Sequence, residues 1–328
     1  MTALSRKQFI QGLALGALAL ASPGAFAQAS WPERPVKLVV PFAAGGATDV
    51  LGRVLAAALG DKLGQPVVVE NRPGAGTVVA AALVAKAPAD GYTLLLGSNS
   101  TFTLNPAIRA NLPYDPLKNF TSLGMVADMS LLLLANNDSS VRSVADLVKQ
   151  AKAAPDKFSY GSFGAGSSVH FGAEMLKTVA GIQMVHVPFN GSAPSLTALI
   201  GGQVQVSVDT IVASLPQIQA GKVRPLATLA GQRLPSLPNV PTVAESGYPG
   251  FDAGSWFGLV APAGLPAPVA QKLEAALAEV LKPDAMKKRL IDLGLTPAYG
   301  SATAMRARIE SELPAMRAVA ARADIRAD

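Results

Sequence analysis

Val36-Lys37-Leu38-Val39-Val40 runs into Pro41-Phe42-Ala43-Ala44-Gly45-Gly46-Ala47-Thr48-Asp49 and on into Val50-Leu51-Gly52-Arg53-Val54-Leu55-Ala56-Ala57-Ala58-Leu59. The short apolar run reads as a buried strand, the glycine turn as its exit, and the segment with apolar residues at helical spacing as a helix. Such a turn leaves the first helical amides unpaired, and the helix macrodipole adds partial positive charge there. The geometry suits an anion.

The same rhythm continues outward. Residues 67–70 read as a second strand, Asn71-Arg72-Pro73-Gly74-Ala75-Gly76-Thr77 as a turn, and 78–87 as an alanine-rich helix. A third strand over 92–96 opens into Gly97-Ser98-Asn99-Ser100-Thr101. Three strand-loop-helix units in succession argue an α/β domain with a mostly parallel sheet. Residues 120–134 are too apolar for a linker, and two short strands are expected there, with the chain crossing to a second lobe near Asp128. The rhythm then restarts, with helices over 144–153, 168–179, 195–200 and 214–219 and strands over 158–160, 184–187, 204–208 and 223–229. Residues 233–250, rich in proline and glycine, read as a long surface loop. A strand over 255–260 belongs with the first sheet, followed by helices over 268–281, 283–293 and 302 to about 321. Two crossings make a hinge, and a hinge between α/β lobes makes a cleft.

With 328 residues, half of them hydrophobic and 15% charged, the chain can build two domains and does not read as disordered. The +6 net charge is scattered, with no run of five basic residues, which argues against a nucleic-acid partner. Residues 1–27 read as an export signal: Arg6 and Lys7, an apolar stretch over 9–21, then Ala25-Phe26-Ala27. Cleavage there leaves 26 basic residues (28 less Arg6 and Lys7) against 22 acidic ones, a charge of +4. Ser5-Arg6-Lys7-Gln8-Phe9-Ile10 resembles a twin-arginine signal with Lys7 in place of the second arginine, so the general secretory route is the default. No other stretch is apolar for long enough to span a membrane. The absence of cysteine excludes disulfides, thiol catalysis and a lipidated cysteine anchor.

Three loops at strand C-termini carry anion-site chemistry: 43–49, 98–105 and 160–170. In the third, Gly164-Ala165-Gly166-Ser167-Ser168-Val169-His170 offers flexible backbone, hydroxyls and an imidazole within one turn. Taken singly, each glycine loop reads as an ordinary βα turn with Thr48 or Ser167 as a helix cap; two such loops on opposite sides of the inferred cleft argue for a site. Asp49, in a first helical turn, reads as a capping carboxylate rather than a ligand group. Gly74-Ala75-Gly76-Thr77-Val78-Val79 lacks the last glycine of a dinucleotide fingerprint, and no Walker sequence is present. His170 and His186, the only histidines, fit no metal-ligand spacing, so neither metal nor cofactor is expected. A Ser167–His170 catalytic pair would make an exported hydrolase, but the serine is not in a Gly-x-Ser-x-Gly elbow and no orienting acid is evident.

Longer motifs carry a resemblance. They are Trp31-Pro32 with 34–49, Val69-Glu70-Asn71-Arg72-Pro73-Gly74-Ala75-Gly76, Asp90-Gly91-Tyr92-Thr93-Leu94, Tyr160-Gly161-Ser162, Gly166-Ser167 with His170, 239–245, Trp256-Phe257-Gly258 and Ala261-Pro262-Ala263-Gly264. In this order they resemble the Bug (Bordetella uptake gene) family, the TctC-like periplasmic solute-binding proteins of tripartite tricarboxylate transporters. The resemblance implies a two-lobed periplasmic binding protein of the type II, Venus-flytrap kind, with mostly parallel sheets flanked by helices. It implies a non-enzyme that captures a small carboxylate and delivers it to membrane permease subunits; a receptor serving a sensor kinase is the alternative. Lobe 1 would comprise residues 28–128 with 245–328 and lobe 2 residues 129–244, in a periplasmic monomer. Carried over residue by residue, the ligand site is Phe42, Ala44, Gly45, Gly46 and Asp49 on one lobe. On the other it is Ser162, Gly166, Ser167, Ser168 and His170, with Ser98, Asn99, Asn190, Asp209 and Trp256 on the distal side. The chain departs from the family pattern at Ala43 and Ala47, where prolines are common, and at Phe189-Asn190, where tyrosine-lysine is usual.

Overall fold

The computed structural model describes residues 31–327. The export signal and the expected start at Gln28 lie outside the described residues.

The opening stretch forms strand β1 (Val36–Val40) and helix α1 (Ala47–Leu63). On either side of β1 lie β2 (Val67–Asn71) and β3 (Thr93–Ser98), both parallel to it. Helix α2 (Val78–Ala85) connects β2 to β3. Leu51, Leu55 and Leu59 of α1 are buried with Val36 and Leu38 of β1, so the helix is held by its apolar stripe. The segment after β3, expected as a loop, is instead wound: a wide turn over Ser100–Leu104 leads into the short helix α3 (Asn105–Ile108). Its hydroxyl-rich residues favour helix poorly. Tertiary contacts override that preference: Phe102 stacks on Trp256 at 5.8 Å, and the Thr103 hydroxyl donates to Glu312 Oε1 at 2.6 Å.

Residues 120–136 form one strand, β4 (Phe120–Asn136), rather than two short ones. Its first part, through Ser130, pairs with β9 (Gly254–Pro262) and, on its other side, with β10 (Leu295–Ser301). From Leu131 onward it pairs with β7 (Val206–Thr210) and β8 (Val223–Thr228). The chain therefore passes from sheet to sheet at Ser130–Leu131 without leaving extended conformation. Register shifts at Ser122/Gly124 and Met125/Ala127 interrupt its pairing with β9 without ending the strand.

The second sheet is completed by β5 (Ser159–Ser162) and β6 (Val185–Pro188), parallel to each other, with β5 also parallel to β7. Its helices are α4 (Val144–Ala153), α5 (Ser168–Ala180), α6 (Ser192–Ile200) and α7 (Ile211–Gln219). After β9 come α8 (Ala267–Leu281) and α9 (Asp284–Asp292), then β10 and α10 (Ala302–Arg322). Strand β10 was not expected, because Pro297 and the flanking Gly294 and Gly300 look like a turn; on a sheet edge a proline costs no ladder bond. Both ends of the strand order β2-β1-β3-β9-β4-β7-β5-β6 are parallel, while the strands about the crossing are antiparallel. The result is a mixed, two-lobed α/β architecture whose two crossings lie side by side as β4 and β9.

Candidate functional site

The loops leaving β1, β3, β5, β6 and β7 meet across the junction of the lobes. Asp49 braces the first. Its Oδ2 accepts from the Gly45 N–H (2.9 Å) and from Arg53 (3.0 Å), while Asn71 bridges its Oδ1 and the Phe42 carbonyl. Burial alone would raise the pKa of Asp49, but the bonds from Arg53, Gly45 and Asn71 together hold it below the usual carboxylate value. Asp49 is thus committed to its own loop, in keeping with its reading as a capping group.

The third loop is pinned by Ser167, whose hydroxyl donates to the Gly164 carbonyl (2.7 Å) and accepts the His170 N–H (3.3 Å), capping α5. His170 is buried, and its Nδ1 accepts the Gly166 N–H at 3.3 Å. Burial first, then the neighbouring His186, Lys177 and Arg109, press its pKa down to about 3, so it is neutral. The two histidines stack at 4.4 Å, and His186 Nε2 meets the Ser162 hydroxyl at 2.5 Å. Ser167 and His170 therefore touch through a hydroxyl and a backbone amide, not through hydroxyl and imidazole, and the hydrolase reading has no general base. Among the described residues no group of three or more His, Asp or Glu side chains forms a metal site.

The lobes are closed on each other by direct hydrogen bonds. The Ala43 N–H donates to the Asn190 carbonyl (3.1 Å), and the Ser168 N–H to the Ser100 hydroxyl (2.9 Å). The Ser168 hydroxyl lies 2.8 Å from Asn99 Oδ1 and 2.9 Å from the Ser255 hydroxyl. Phe42 and Phe163 meet edge to face at 5.8 Å. Gly76 and Gly166, both with positive φ, sit at this seam: a Cβ on Gly76 would stand 2.2 Å from the Ala165 carbonyl oxygen, and one on Gly166 2.1 Å from Asn105 Oδ1.

Enclosed by the closure is a cavity of about 20 Å³, lined by Gly46, Ala47 and Thr48 of the α1 start, Ser168 and Val169 of α5, Ser192 of α6 and Thr210 before α7. Four helix N-termini from two lobes converge on one small space, with Ser98, Ser100 and Ser255 beside them and Phe42, Met129, Phe163 and Phe257 making the rest of its wall apolar. No Lys or Arg lines it. The Ser98 hydroxyl is buried without a hydrogen-bond partner among the described residues. The arrangement brings helix N-termini, their dipoles and hydroxyl groups to a single point, which is chemistry for an anion.

Behind Ser168 and Ser255 a second cavity of about 450 Å³ reaches the crossing strands. It carries Asp128, Asp252 and Glu312 against the single cation Arg308, which already pairs with Asp128 at 2.9 Å. Its charge is wrong for an anion, so size does not decide between the two.

Of the candidates read from sequence, Phe42, Gly46, Ser98 and Ser168 line the smaller cavity. Asn99, Ser162, Gly166, Ser167 and His170 form the scaffold immediately around it. Ala44, Gly45 and Asn190 are exposed at the loop tips, with Gly45 and Asn190 contributing backbone bonds. Asp209 sits behind Ser192 and Thr210, and Trp256 faces the larger cavity, its indole donating to Glu312. Sequence reasoning missed Thr48, Ser100, Ser192, Thr210 and Ser255. The helices expected over 195–200 and 214–219 start three residues earlier in the structure, at Ser192 and Ile211, which is why Ser192 and the N-cap Thr210 were passed over.

Residues 51–322 match the family described as Tripartite tricarboxylate transporter family receptor. The chain belongs to that family. It is 35% identical to the protein BugT of Bordetella pertussis over 94% of this chain and 95% of that one. The solved structure of R. palustris Rpa4515 with adipate shares 38% identity, with a TM-score of 0.88 over 91% of this chain and 100% of that one. That of the periplasmic binding protein BugD shares 35% identity, with a TM-score of 0.87 over 91% of this chain and 100% of that one. The TctC-family receptor fold and the Bug resemblance thus hold over nearly the whole described chain, and the family is one of ligand-binding receptors rather than enzymes.

Proposed function

We propose that this TctC-family receptor captures a small carboxylate in the periplasm, in the cleft where α1, α5, α6 and α7 converge, and hands it to the permease subunits of a tripartite tricarboxylate-type transporter. The observation that carries the reading is that convergence of four helix N-termini on a space with no cationic side chain in its wall. The adipate held by the structurally similar Rpa4515 supports the carboxylate as the ligand class. The solute-contacting set is Phe42, Gly46, Thr48, Ser98, Ser100, Ser168, Ser192 and Thr210, with Asn99 and Ser255 closing the wall behind them.

A cleft of about 20 Å³ has room for about one water molecule, whereas small-molecule pockets span roughly 300–1,000 Å³. Entry of an organic acid therefore requires the lobes to part. With the hinge at Ser130–Leu131 and at the approach to Gly254, the lobes comprise residues 31–130 with 254–327 and residues 131–253. At about 0.3–1 kcal/mol each, four helix termini supply roughly 1–4 kcal/mol. Micromolar capture needs about 8 kcal/mol, so hydroxyl bonds and desolvation on closure supply the remainder. A thermal-shift screen of the purified protein against carboxylates, amino acids and amines tests the reading. Stabilisation by a carboxylate is expected, and stabilisation by an amine alone would overturn it.

A further inference from the structure

Asp209 ends β7 in the second lobe and is fully buried. Its Oδ1 takes three hydrogen bonds, from the Ser192 hydroxyl (2.6 Å), the Thr210 N–H (2.6 Å) and the Thr210 hydroxyl (3.3 Å). Its Oδ2 is buried with no partner among the described residues. Both hydroxyls that Asp209 engages belong to residues that line the helix-terminus cavity.

Among the described residues no cation compensates this carboxylate. Burial dominates its environment and, against the bonds from Ser192 and Thr210, pushes its pKa up to about 7. On the strands beside it, residues 131–136 of β4 carry no titratable group, and β5 carries only Tyr160, whose hydroxyl bonds Glu174. Helices α6 and α7 carry none. Asp209 shares the sheet face of Ser207, which bonds Ser195 of α6, so His170, Glu174 and Lys177 of α5 lie across the sheet. From the first lobe, α1 brings Asp49 and Arg53, which pair with each other.

We propose that Asp209 is a proton-linked positioning residue: as a neutral acid it releases the Ser192 and Thr210 hydroxyls toward a carboxylate solute, so capture takes up one proton. When Asp209 is ionised, its Oδ1 draws both hydroxyl protons inward and leaves oxygen lone pairs facing the cavity, which repel an anion. A second negative charge beside a buried, unpaired carboxylate adds to the penalty. A proton arriving from solvent at Oδ2, where no donor competes, removes the charge and loosens the hold on both hydroxyls. Nothing else is transferred. The proposal rests on the carboxylate reading of the cleft.

The test is isothermal titration with adipate as the probe between pH 6.5 and 9, run in two buffers of different ionisation heat to count protons. Wild type is expected to take up close to one proton per adipate at pH 8 and to weaken by up to about tenfold per pH unit above pH 7. Asp209→Asn, neutral at every pH, is expected to show a flat profile, no proton uptake and retained binding at pH 8.5. A flat wild-type profile, or a slope that survives in Asp209→Asn, overturns the proposal. Failure of adipate to bind at pH 6.5 counts against the carboxylate reading instead. A carbon-13 NMR titration of the Asp209 carboxyl in wild type then judges the proton linkage: a midpoint near 7 sustains it and a midpoint below 5 overturns it. The same titration decides the matter if Asp209→Asn does not fold.

Discussion

Gly46→Val separates closure of the lobes from folding. Gly46 has φ −84° and ψ 171°, extended backbone that any residue adopts, so the substitution carries no backbone strain. A Cβ there would lie 3.5 Å from Ser192 Cβ and 3.8 Å from the Ala43 carbonyl oxygen, ordinary contact distances. Gly46→Ala therefore closes normally. Each γ-methyl of valine extends about 1.5 Å further, and one directed at Ser192 stands about 2 Å from it, so the loops must separate. Overpacking of this kind costs about 1–3 kcal/mol. Ser192 and Gly46 belong to different lobes, so the cost falls on the closed state alone and appears as about 5- to 150-fold weaker binding. Titration calorimetry with adipate reads the affinity, thermal melting reads the fold, and small-angle scattering reads the closure. Valine binding within twofold of wild type, at an unchanged melting temperature, would remove Gly46 and the α1 start from the site.

Two further outcomes are expected. Ser168→Ala deletes the interlobe contacts to Asn99, Ser255 and Ser100. Losing one to two net hydrogen bonds, about 1–2 kcal/mol, shifts scattering toward an open form and weakens adipate about 5- to 30-fold; wild-type affinity would show the seam to be incidental. His170 has a folded pKa depressed from 6.5 to about 3, so below pH 6.5 the unfolded chain takes up a proton that the folded chain refuses. Its contribution to stability is present above 6.5 and declines as pH falls toward 3, by at most about 1.4 kcal/mol per pH unit. His170→Gln should therefore melt with a shallower pH dependence between 6.5 and 4.5, and parallel curves for the two proteins would show that His170 protonates within the fold.

The opening βα unit was legible because its apolar run, glycine turn and helical stripe act locally and agree with one another. Helix 144–153 was read to the residue for the same reason: Ser143 caps it and its apolar period is unambiguous. Local pattern failed where tertiary pairing decides. Strand β4 is buried along most of its length because two sheets share it, and a sequence window cannot tell one long shared strand from two short ones. Strand β10 hides behind Pro297, tolerated only because the strand is an edge. In the site, glycine loops announced α1 and α5, but Ser192 and Thr210 became visible only when four helix starts were brought to one point. Asp209 was named only through the family resemblance, while its unpaired Oδ2 and its two hydroxyl partners are properties of packing.

The central claim is that helix termini and hydroxyls, without a cationic side chain, hold a carboxylate between the lobes. Titration calorimetry at pH 6.5 with adipate and with its uncharged diamide, which matches it in shape, tests that most directly. The account predicts that adipate binds and that the diamide binds at least tenfold more weakly, and equal or tighter binding of the diamide would contradict it.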